Sequence, residues 1–417
     1  MVEAFAGSKA LDVKHLDFSR LLHGKNAYVN GTTIRVDYRD TKERERFEGK
    51  FSANPGAKTV NGTATSWRLT NYKTDALVFK FTGSNLLSAS AVLAAAKTDK
   101  LSDDHALIQK MLAGNDSFHG SKFDDVLYGY NGNDTFQGGA GTDRFDGGDG
   151  SDLANYASYS KSVAVALDGP NWVSAVLDGV AVDRMRNVEG VAGGDGNDTL
   201  TGDKFANKLV GNGGGDTLTG GGGNDTLRGG NGNDSIVAGP GNDSVKAGSG
   251  HDYVSAGKGA DIVDGGNGND ILLGGTGGDS LKGGKGIDLI EGGGGRDTMT
   301  GGADADTFRF VAITDSGATA TTRDFITDFV HGVDKLDFSA IDAIGSTVGI
   351  NDLFIRDAKG KANTAVAEGH IGWYQVNEAG TANDRTFLRL NTDADAAIEL
   401  TVELKGLVKI GVVDLIL

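Results

Sequence analysis

Cysteine is absent from the 417 residues. No disulfide can brace the fold, and a chain without cross-links suits passage through a narrow channel in the unfolded state. An excess of positive charge is also missing. Against 57 acidic residues stand 40 basic ones, a net charge of −17. Nucleic acid rewards basic patches, so this balance argues against such a partner. Long apolar runs are missing too. Runs such as Ala91–Ala96 fall far short of the ~20 residues of a membrane-spanning helix, so no transmembrane segment is expected. Met1 to Gly24 carries Lys9 and Lys14 but lacks the ~7–15 apolar residues of a secretory signal peptide.

Familiar catalytic signatures are absent as well. The histidines are His15, His23, His105, His119, His251, His331 and His370. None precedes a glutamate and no two are four apart, which excludes an H-E-x-x-H zinc protease. There is no G-x-S-x-G elbow of the secreted lipases. Gly278-Asp279-Ser280-Leu281 and Asp328-Phe329-Val330-His331 together mimic a GDSL esterase signature. Asp279 and Leu281 already have repeat roles, however, and Ser280 between them should face solvent. His251 beside Asp252 reads as a chance neighbour in a turn. Trp67, Trp172 and Trp373 are scattered and read as local packing rather than sugar-binding platforms. No catalytic residue is assigned, and the chain reads as a non-enzyme.

What the chain does contain is a nine-residue period. GGGGNDTLR at 220–228, GGNGNDSIV at 229–237 and GGNGNDILL at 265–273 show the unit. From Gly193 to Phe308 it runs thirteen times. The sixth place holds Asp198, Asn207, Asp216, Asp225, Asp234, Asp243, Asp252, Asp261, Asp270, Asp279, Asp288, Asp297 and Asp306. Two places on stands an apolar residue every time, from Leu200 and Leu209 through Val254 and Leu272 to Met299 and Phe308. An upstream block has Asp116, Asp125, Asp134, Asp143 and Asp152, followed by Phe118, Leu127, Phe136, Phe145 and Ala154. These aspartates account for an acidic excess of the size observed.

A period this strict predicts a solenoid. Fourth-place glycines include Gly132, Gly141, Gly196, Gly214, Gly223, Gly232, Gly241, Gly250, Gly259, Gly268, Gly277, Gly286 and Gly295. Glycine also fills most first and second places; only glycine adopts positive φ freely, so a tight turn is expected at all three. A short strand then falls at places seven to nine, with place eight pointing inward. Two units close one coil, and like positions stack at roughly 4.8 Å. The expected fold is all-β: a parallel β-roll with a small β-rich N-terminal capping domain and a C-terminal β cap.

Stacking also aligns the acids. One edge carries Asp198, Asp216, Asp234, Asp252, Asp270, Asp288 and Asp306; the other carries Asn207, Asp225, Asp243, Asp261, Asp279 and Asp297. Like charges ~4.8 Å apart repel by about 1 kcal/mol in water and ~3–4 kcal/mol at an effective dielectric of 20. Summed down both edges, that rivals the ~5–15 kcal/mol stability of a whole domain. A hard dication resolves it. Calcium accepts carboxylates and carbonyls in flexible geometry, whereas magnesium demands an octahedron and keeps its water. A Gly-Asp-rich disordered linker would share the composition, but linkers do not keep an apolar eighth place. Without calcium, disorder is the expected state.

The units resemble the RTX (repeats-in-toxin, or hemolysin-type) nonapeptide of type I-secreted bacterial proteins. That resemblance implies calcium, roughly ten or more ions, bound between successive turns on one edge. Its ligands would be the place-six side chains named above, from Asp125 onward, and carbonyls of the glycine-rich turns. Asn207 departs from the pattern and predicts a weaker site. Phe123 and Phe205 replace the fourth-place glycine, and Asp116 follows a poor half-unit, so those sites are expected to be distorted or incomplete.

The repeats organise the rest of the chain. Residues 1–112 read as a β-rich domain with a capping helix, 113–154 as the first repeat block and 155–192 as a β excursion. Residues 193–309 form the second block, and 310–417 a terminal cap. In the first domain, Thr33–Tyr38, Arg44–Phe51, Thr65–Thr70 and Ala76–Phe81 alternate. Asn30-Gly31, Pro55-Gly56 and Asn61-Gly62 break them. Leu86–Ala96 and Ser102–Leu112 read as helices, the second covering the open end of the roll. Asp152 and Asp198 are 46 residues apart, one more than five units, so simple continuation in register is not expected.

Asp324–Phe329, Gly332–Asp342, Asn391-Thr392-Asp393 and Leu404–Leu407 resemble the C-terminal domain of the serralysin-type metalloproteases. The resemblance implies a cap and a type I secretion signal, which the Asp414-Leu415-Ile416-Leu417 ending fits. Asp393-Ala394-Asp395 departs from the family's glycine-bearing loop. The reading is a secreted, extracellular calcium-binding protein with a structural, adhesive or cell-surface and matrix role. Its expected partners are calcium, the type I secretion machinery and cell-surface or matrix polysaccharide. The rival is a secreted lyase or hydrolase, or a carbohydrate-binding protein, with its site in residues 1–112.

Overall fold

The computed structural model describes the strands of the first 83 residues and then residues 112–120, 124–342, 354–356, 370–376, 384–391, 400–408 and 410–416. It divides into two compact units, Met1–Ala192 and Gly193–Leu417. The expected helices Leu86–Ala96 and Ser102–Leu112, and the Asp393-Ala394-Asp395 loop, lie outside the described residues but for Leu112. Among the described residues no helix is long and apolar enough to cross a membrane.

The second unit shows why the period is nine and the coil eighteen. Strands Lys208–Gly213, Thr226–Asn231, Ser244–Ser249, Ile262–Asn267, Ser280–Lys285 and Thr298–Ala303 pair in parallel, each with the next. The alternate units supply Thr199–Thr201, Thr217–Thr219, Ser235–Pro240, Tyr253–Lys258, Ile271–Gly277, Leu289–Gly295 and Thr307–Arg309 to a second parallel sheet. Register is strict: Leu227 faces Val245 and Val254 faces Leu272. The eighth-place side chains from Leu200 to Phe308 are at most 2% exposed. Removing each from water contributes roughly 1.5–3 kcal/mol.

Most strands outrun the expected three residues. Thr226–Asn231 continues through the first three places of the following unit. Alternation therefore carries the first place inward as well, beside the sixth and eighth. Only glycine or alanine fits there, and Ala238, Ala247 and Ala256 are fully buried. The first place is core lining, not turn.

The first unit begins with an antiparallel meander of Asn26–Asn30, Thr33–Tyr38, Glu43–Asn54, Thr59–Asn71 and Leu77–Gly83. Asn61-Gly62 does not break it. Those residues lie inside Thr59–Asn71, opposite Ser52 and Phe51, and the long pair is relieved by a bulge at Glu48/Gly49. Val2–Ala6 pairs antiparallel with Leu77–Gly83 and parallel with Ser117–His119, the first strand of the repeat. The meander thus covers one sheet edge of the first coil by adding a strand, which removes the exposed edge.

From there Ser117–His119, Thr135–Gln137, Leu153–Asn155 and Gly190–Ala192 stack in parallel. Val126–Asn131 and Arg144–Asp149 do the same on the opposite sheet. Phe118, Phe136 and Phe145 fill this block, with ring centroids 5.0 and 5.5 Å apart. The expected excursion is a three-stranded antiparallel meander of Val163–Ala166, Val173–Leu177 and Val180–Arg186. Its last strand returns beside Arg144–Asp149, placing Met185 against Phe145. The extra residues are a detour that rejoins the stack.

Beyond Phe308 both sheets of the second unit continue. Asp324–Ile326 pairs with Thr298–Ala303 and with Leu400–Lys405. Lys335–Asp337 pairs with Thr307–Arg309 and with Leu415–Ile416. An antiparallel trio of His370–Val376, Arg385–Asn391 and Leu400–Lys405 completes the cover.

Candidate metal centre

Each sixth-place aspartate is buried, yet it is a carboxylate. Half of that conflict is resolved inside the chain. The N–H of Asp216 donates to Asp234 Oδ1 at 2.7 Å, that of Asp234 to Asp252 Oδ1 at 2.8 Å, and that of Asp252 to Asp270 Oδ1 at 2.9 Å. Asn207, Asp225, Asp243, Asp261 and Asp279 link in the same way along the other edge, ending on Asp297. The two expected edges are therefore two hydrogen-bonded ladders with a step of one coil.

The other oxygen has no such donor. From Asp216 to Asp297 every sixth-place Oδ2 is buried without a hydrogen-bond partner, as are those of Asp134, Asp143 and Asp152. An unpaired buried acceptor is costly, and an unpaired charge more so. Burial first, and neighbouring carboxylates after it, push Asp134 up to about 8 and Asp216 and Asp297 up to about 7. Asp225, Asp234, Asp270 and Asp279 rise to about 6 for the same leading reason. Charge repulsion was the expected obstacle. Desolvation is the larger one.

Backbone oxygens share the space. A Cβ placed on Gly265 would lie 2.6 Å from Asp270 Oδ2 and 2.7 Å from the Gly283 carbonyl oxygen; on Gly274, 2.6 Å from Asp279 Oδ2 and 2.5 Å from the Gly292 oxygen. Carboxylate and carbonyl lone pairs from successive coils thus converge with no donor between them. Among the described residues no three His, Cys, Asp or Glu side chains gather on one point. A bound cation would draw its remaining ligands from carbonyls. That is hard, oxygen-only chemistry, which fits calcium and gives no thiolate or imidazole set for zinc.

The fourth-place glycines supply the turns. All those named have positive φ except Gly196, from 98° at Gly223 to 153° at Gly241. A Cβ on Gly268 would strike the carbonyl of Gly250 one coil earlier. Asp304 takes the fourth place of its unit with φ 79°. Phe205 uses another device. Its N–H donates to Asp203 Oδ1 at 2.8 Å, and the Asp203 N–H donates to Asn207 Oδ1 at 2.7 Å. Asp198 turns its Oδ2 onto the Gly194 N–H at 2.7 Å. The first coil of this unit is closed by its own backbone at both of these positions.

Four acids escaped the sequence reading. Asp183 Oδ1 accepts from the Asp143 N–H at 2.9 Å, and Glu189 Oε2 from the Asp152 N–H at 2.9 Å. Asp324 Oδ1 accepts from Asp297 at 2.8 Å, and Asp334 Oδ1 from Asp306 at 3.1 Å. Each precedes an inward apolar residue by two places (Met185, Val191, Ile326, Leu336), the signal that could have found them out of phase. Asp324 is pushed up to about 9, by burial and then by Asp297. At Asp183 the Tyr156 hydroxyl donates to Oδ2 at 2.9 Å and fills the role open elsewhere.

A second ladder was also missed. Fifth-place side chains accept from the fifth-place N–H one coil on, as Asn224 does from Asn242 and Asn233 from His251. His251 joins it, its Nδ1 accepting from the Asn269 N–H at 2.8 Å. The residues of the esterase-like signature have other work. Asp279 is in the acid ladder, Leu281 is core and Ser280 is exposed on its strand. Asp328 accepts from the Gly301 and Gly302 N–H groups, and His331 pairs with the buried Asp414 at 2.7 Å.

The family model of the RTX calcium-binding nonapeptide repeat (4 copies) matches residues 112–144, 119–154, 192–227, 210–245, 237–272 and 273–308. No curated protein sequence matches significantly. Among solved structures, the AlgE6R3 subunit of the Azotobacter vinelandii mannuronan C5-epimerase is 30% identical over 36% of this chain and 73% of its own, with a TM-score of 0.26. The AlgE6R2 subunit is 30% identical over 38% and 87%, with a TM-score of 0.27. Extracellular lipase LipA from Serratia marcescens is 18% identical over 73% and 38%, with a TM-score of 0.17.

Proposed function

We propose, from the premise that this chain is an RTX calcium-binding repeat protein, that calcium outside the cell switches it from an exported, unfolded chain to a folded β-roll. The observation that carries this is the unbroken run of buried, partnerless Oδ2 atoms from Asp216 to Asp297. Asp216 through Asp297 and the glycine-turn carbonyls would hold the ions, and bound calcium supplies the positive charge that those oxygens lack. In the low-calcium cytoplasm the same oxygens oppose folding and keep the chain threadable. The terminal cap would carry the type I secretion signal, and the folded roll would serve a structural or adhesive role at a cell surface or matrix, without catalysis.

The energetics support a switch. At free calcium ten times Kd, a site present only in the fold contributes roughly 1.4 kcal/mol. About ten such sites give ~14 kcal/mol, as large as the whole stability of an ordinary domain at ~5–15 kcal/mol. Titrating calcium into chelated protein should give a cooperative coil-to-β transition by circular dichroism, with little response to equal magnesium. A full β spectrum in excess chelator would end this reading.

A further inference from the structure

One patch of the first unit has the wrong sign for this acidic chain. On the outer face of the sheet formed by Val126–Asn131, Arg144–Asp149 and Val180–Arg186, Tyr128 faces Asp146 and Asp146 faces Arg186 across the strands. In the next row Arg144 faces Arg184. Trp172 lies over this face, with Arg144, Arg186 and Arg184 guanidinium carbons 4.7, 4.8 and 5.7 Å from its ring centroid. Arg186 pairs with Asp146 at 2.6 Å. Arg144 and Arg184 are exposed, and among the described residues neither has a carboxylate partner. Three guanidinium groups around one indole therefore share a single acid, in a protein of net charge −17.

The patch is held in place. The loop that carries Trp172 is tied by the Asn187 N–H donating to the Gly169 carbonyl at 2.7 Å. Asn187 also donates through Nδ2 to Asp146 Oδ1 at 2.8 Å. From Tyr128 to Arg186 the row crosses two strand spacings, ~10 Å, with Trp172 lying over it, a length suited to a short oligosaccharide. The roll needs none of this: the inward side chains of these strands, Leu127, Phe145 and Met185, are buried on the opposite face.

We infer that the outer face bearing Trp172, Arg144, Arg184, Arg186 and Tyr128 binds a linear polyuronate, a polysaccharide of carboxylate-bearing pyranose rings. Exposed guanidinium forks match carboxylates. The aromatic side chains offer flat surfaces to sugar rings, and Asp146, held by Arg186 and Asn187, adds a negative charge that disfavours denser polyanions. The overall negative charge opposes nucleic acid. This rests on the proposed calcium-folded roll at a cell surface or matrix and gives it a partner class. It also revises the reading of Trp172 as mere local packing.

The test is calorimetric titration of the full calcium-saturated chain with hexagalacturonate, maltohexaose and an oligothymidylate, after circular dichroism has established calcium-induced folding. Binding of the uronate alone, weakening with salt, supports the inference. Arg144→Gln with Arg184→Gln should weaken it at least tenfold, Trp172→Ala should do likewise and Trp172→Phe should restore part of it, all with unchanged calcium midpoints. A folded protein that binds no uronate, binds maltohexaose equally, prefers the oligothymidylate or ignores the double substitution overturns this inference alone. A chain that calcium does not fold overturns the reading beneath it.

Discussion

Replacing Asp270 by asparagine should move the calcium-free and calcium-bound states in opposite directions. Asp270 sits mid-ladder, its Oδ1 accepting from Asp252 and its N–H donating to Asp288 Oδ1, both at 2.9 Å. Its Oδ2 is buried and partnerless. Burial, with Asp252 and Asp288 adding, raises its carboxyl from 3.8 to about 6 in the fold without metal. A shift of about two units is worth roughly 3 kcal/mol against the ionised calcium-free fold at pH 7.5. An amide avoids that cost, keeps the Oδ1 acceptor and points a donor at the nearby carbonyls. The chain already tolerates one at Asn207. Bound calcium, however, loses an anionic ligand, which should weaken that site about tenfold or more, ~1.4 kcal/mol. In chelator, Asp270→Asn should therefore show more β signal than the parent, and in calcium titration a higher midpoint. The sign with pH follows from the raised carboxyls. Their stabilisation of the metal-free roll is complete below the unfolded value of 3.8 and is lost as pH rises through about 6 to 7. Acidifying the chelated parent from pH 7.5 toward 5 should thus recover β structure, and the variant should respond less. If the variant in chelator is no more structured and its midpoint is unmoved, buried charge is not what holds the calcium-free roll open.

Asp243→Ala, mid-ladder, should raise the calcium midpoint and lower cooperativity clearly more than Asp116→Ala in the first coil; equal effects would mean independent sites. Leu272→Ala empties a fully buried place and should cost ~2–5 kcal/mol in denaturant melts at saturating calcium. Removing 310–417 strips Asp324–Ile326 and Lys335–Asp337 from the last strands of both sheets. It should both abolish export from cells with a type I exporter and raise the calcium midpoint of the purified fragment. Export of the truncated chain refutes the address, and an unchanged midpoint refutes the cap.

What could be read from the sequence was whatever repeats. The eighth place, the two edges and the coil of two units all follow from one period and the alternation of a strand. The first place was misread because glycine signals turns more loudly than it signals a tight interior. Asp183, Glu189, Asp324 and Asp334 were missed because detours of other lengths separate them from their ladder partners. The pairing of Val2–Ala6 with Ser117–His119 joins segments more than a hundred residues apart, and no local pattern encodes it. Arg144 and Arg184 become neighbours only through the returning meander.

The alternation of units between two sheets gives the chain a parity. Thr199–Thr201 opens one sheet of the second unit, and Thr307–Arg309, twelve units later, is the last repeat strand of the same one. The terminal segment then meets the sheets in fixed order, Asp324–Ile326 on one and Lys335–Asp337 on the other. Losing a single nonapeptide would send every later strand to the opposite wall and offer that segment two mismatched ends. Losing two would leave the assignment intact. A roll of this kind can change size in evolution or by engineering only in even steps, so its indivisible quantum is the full turn of eighteen residues rather than the motif of nine.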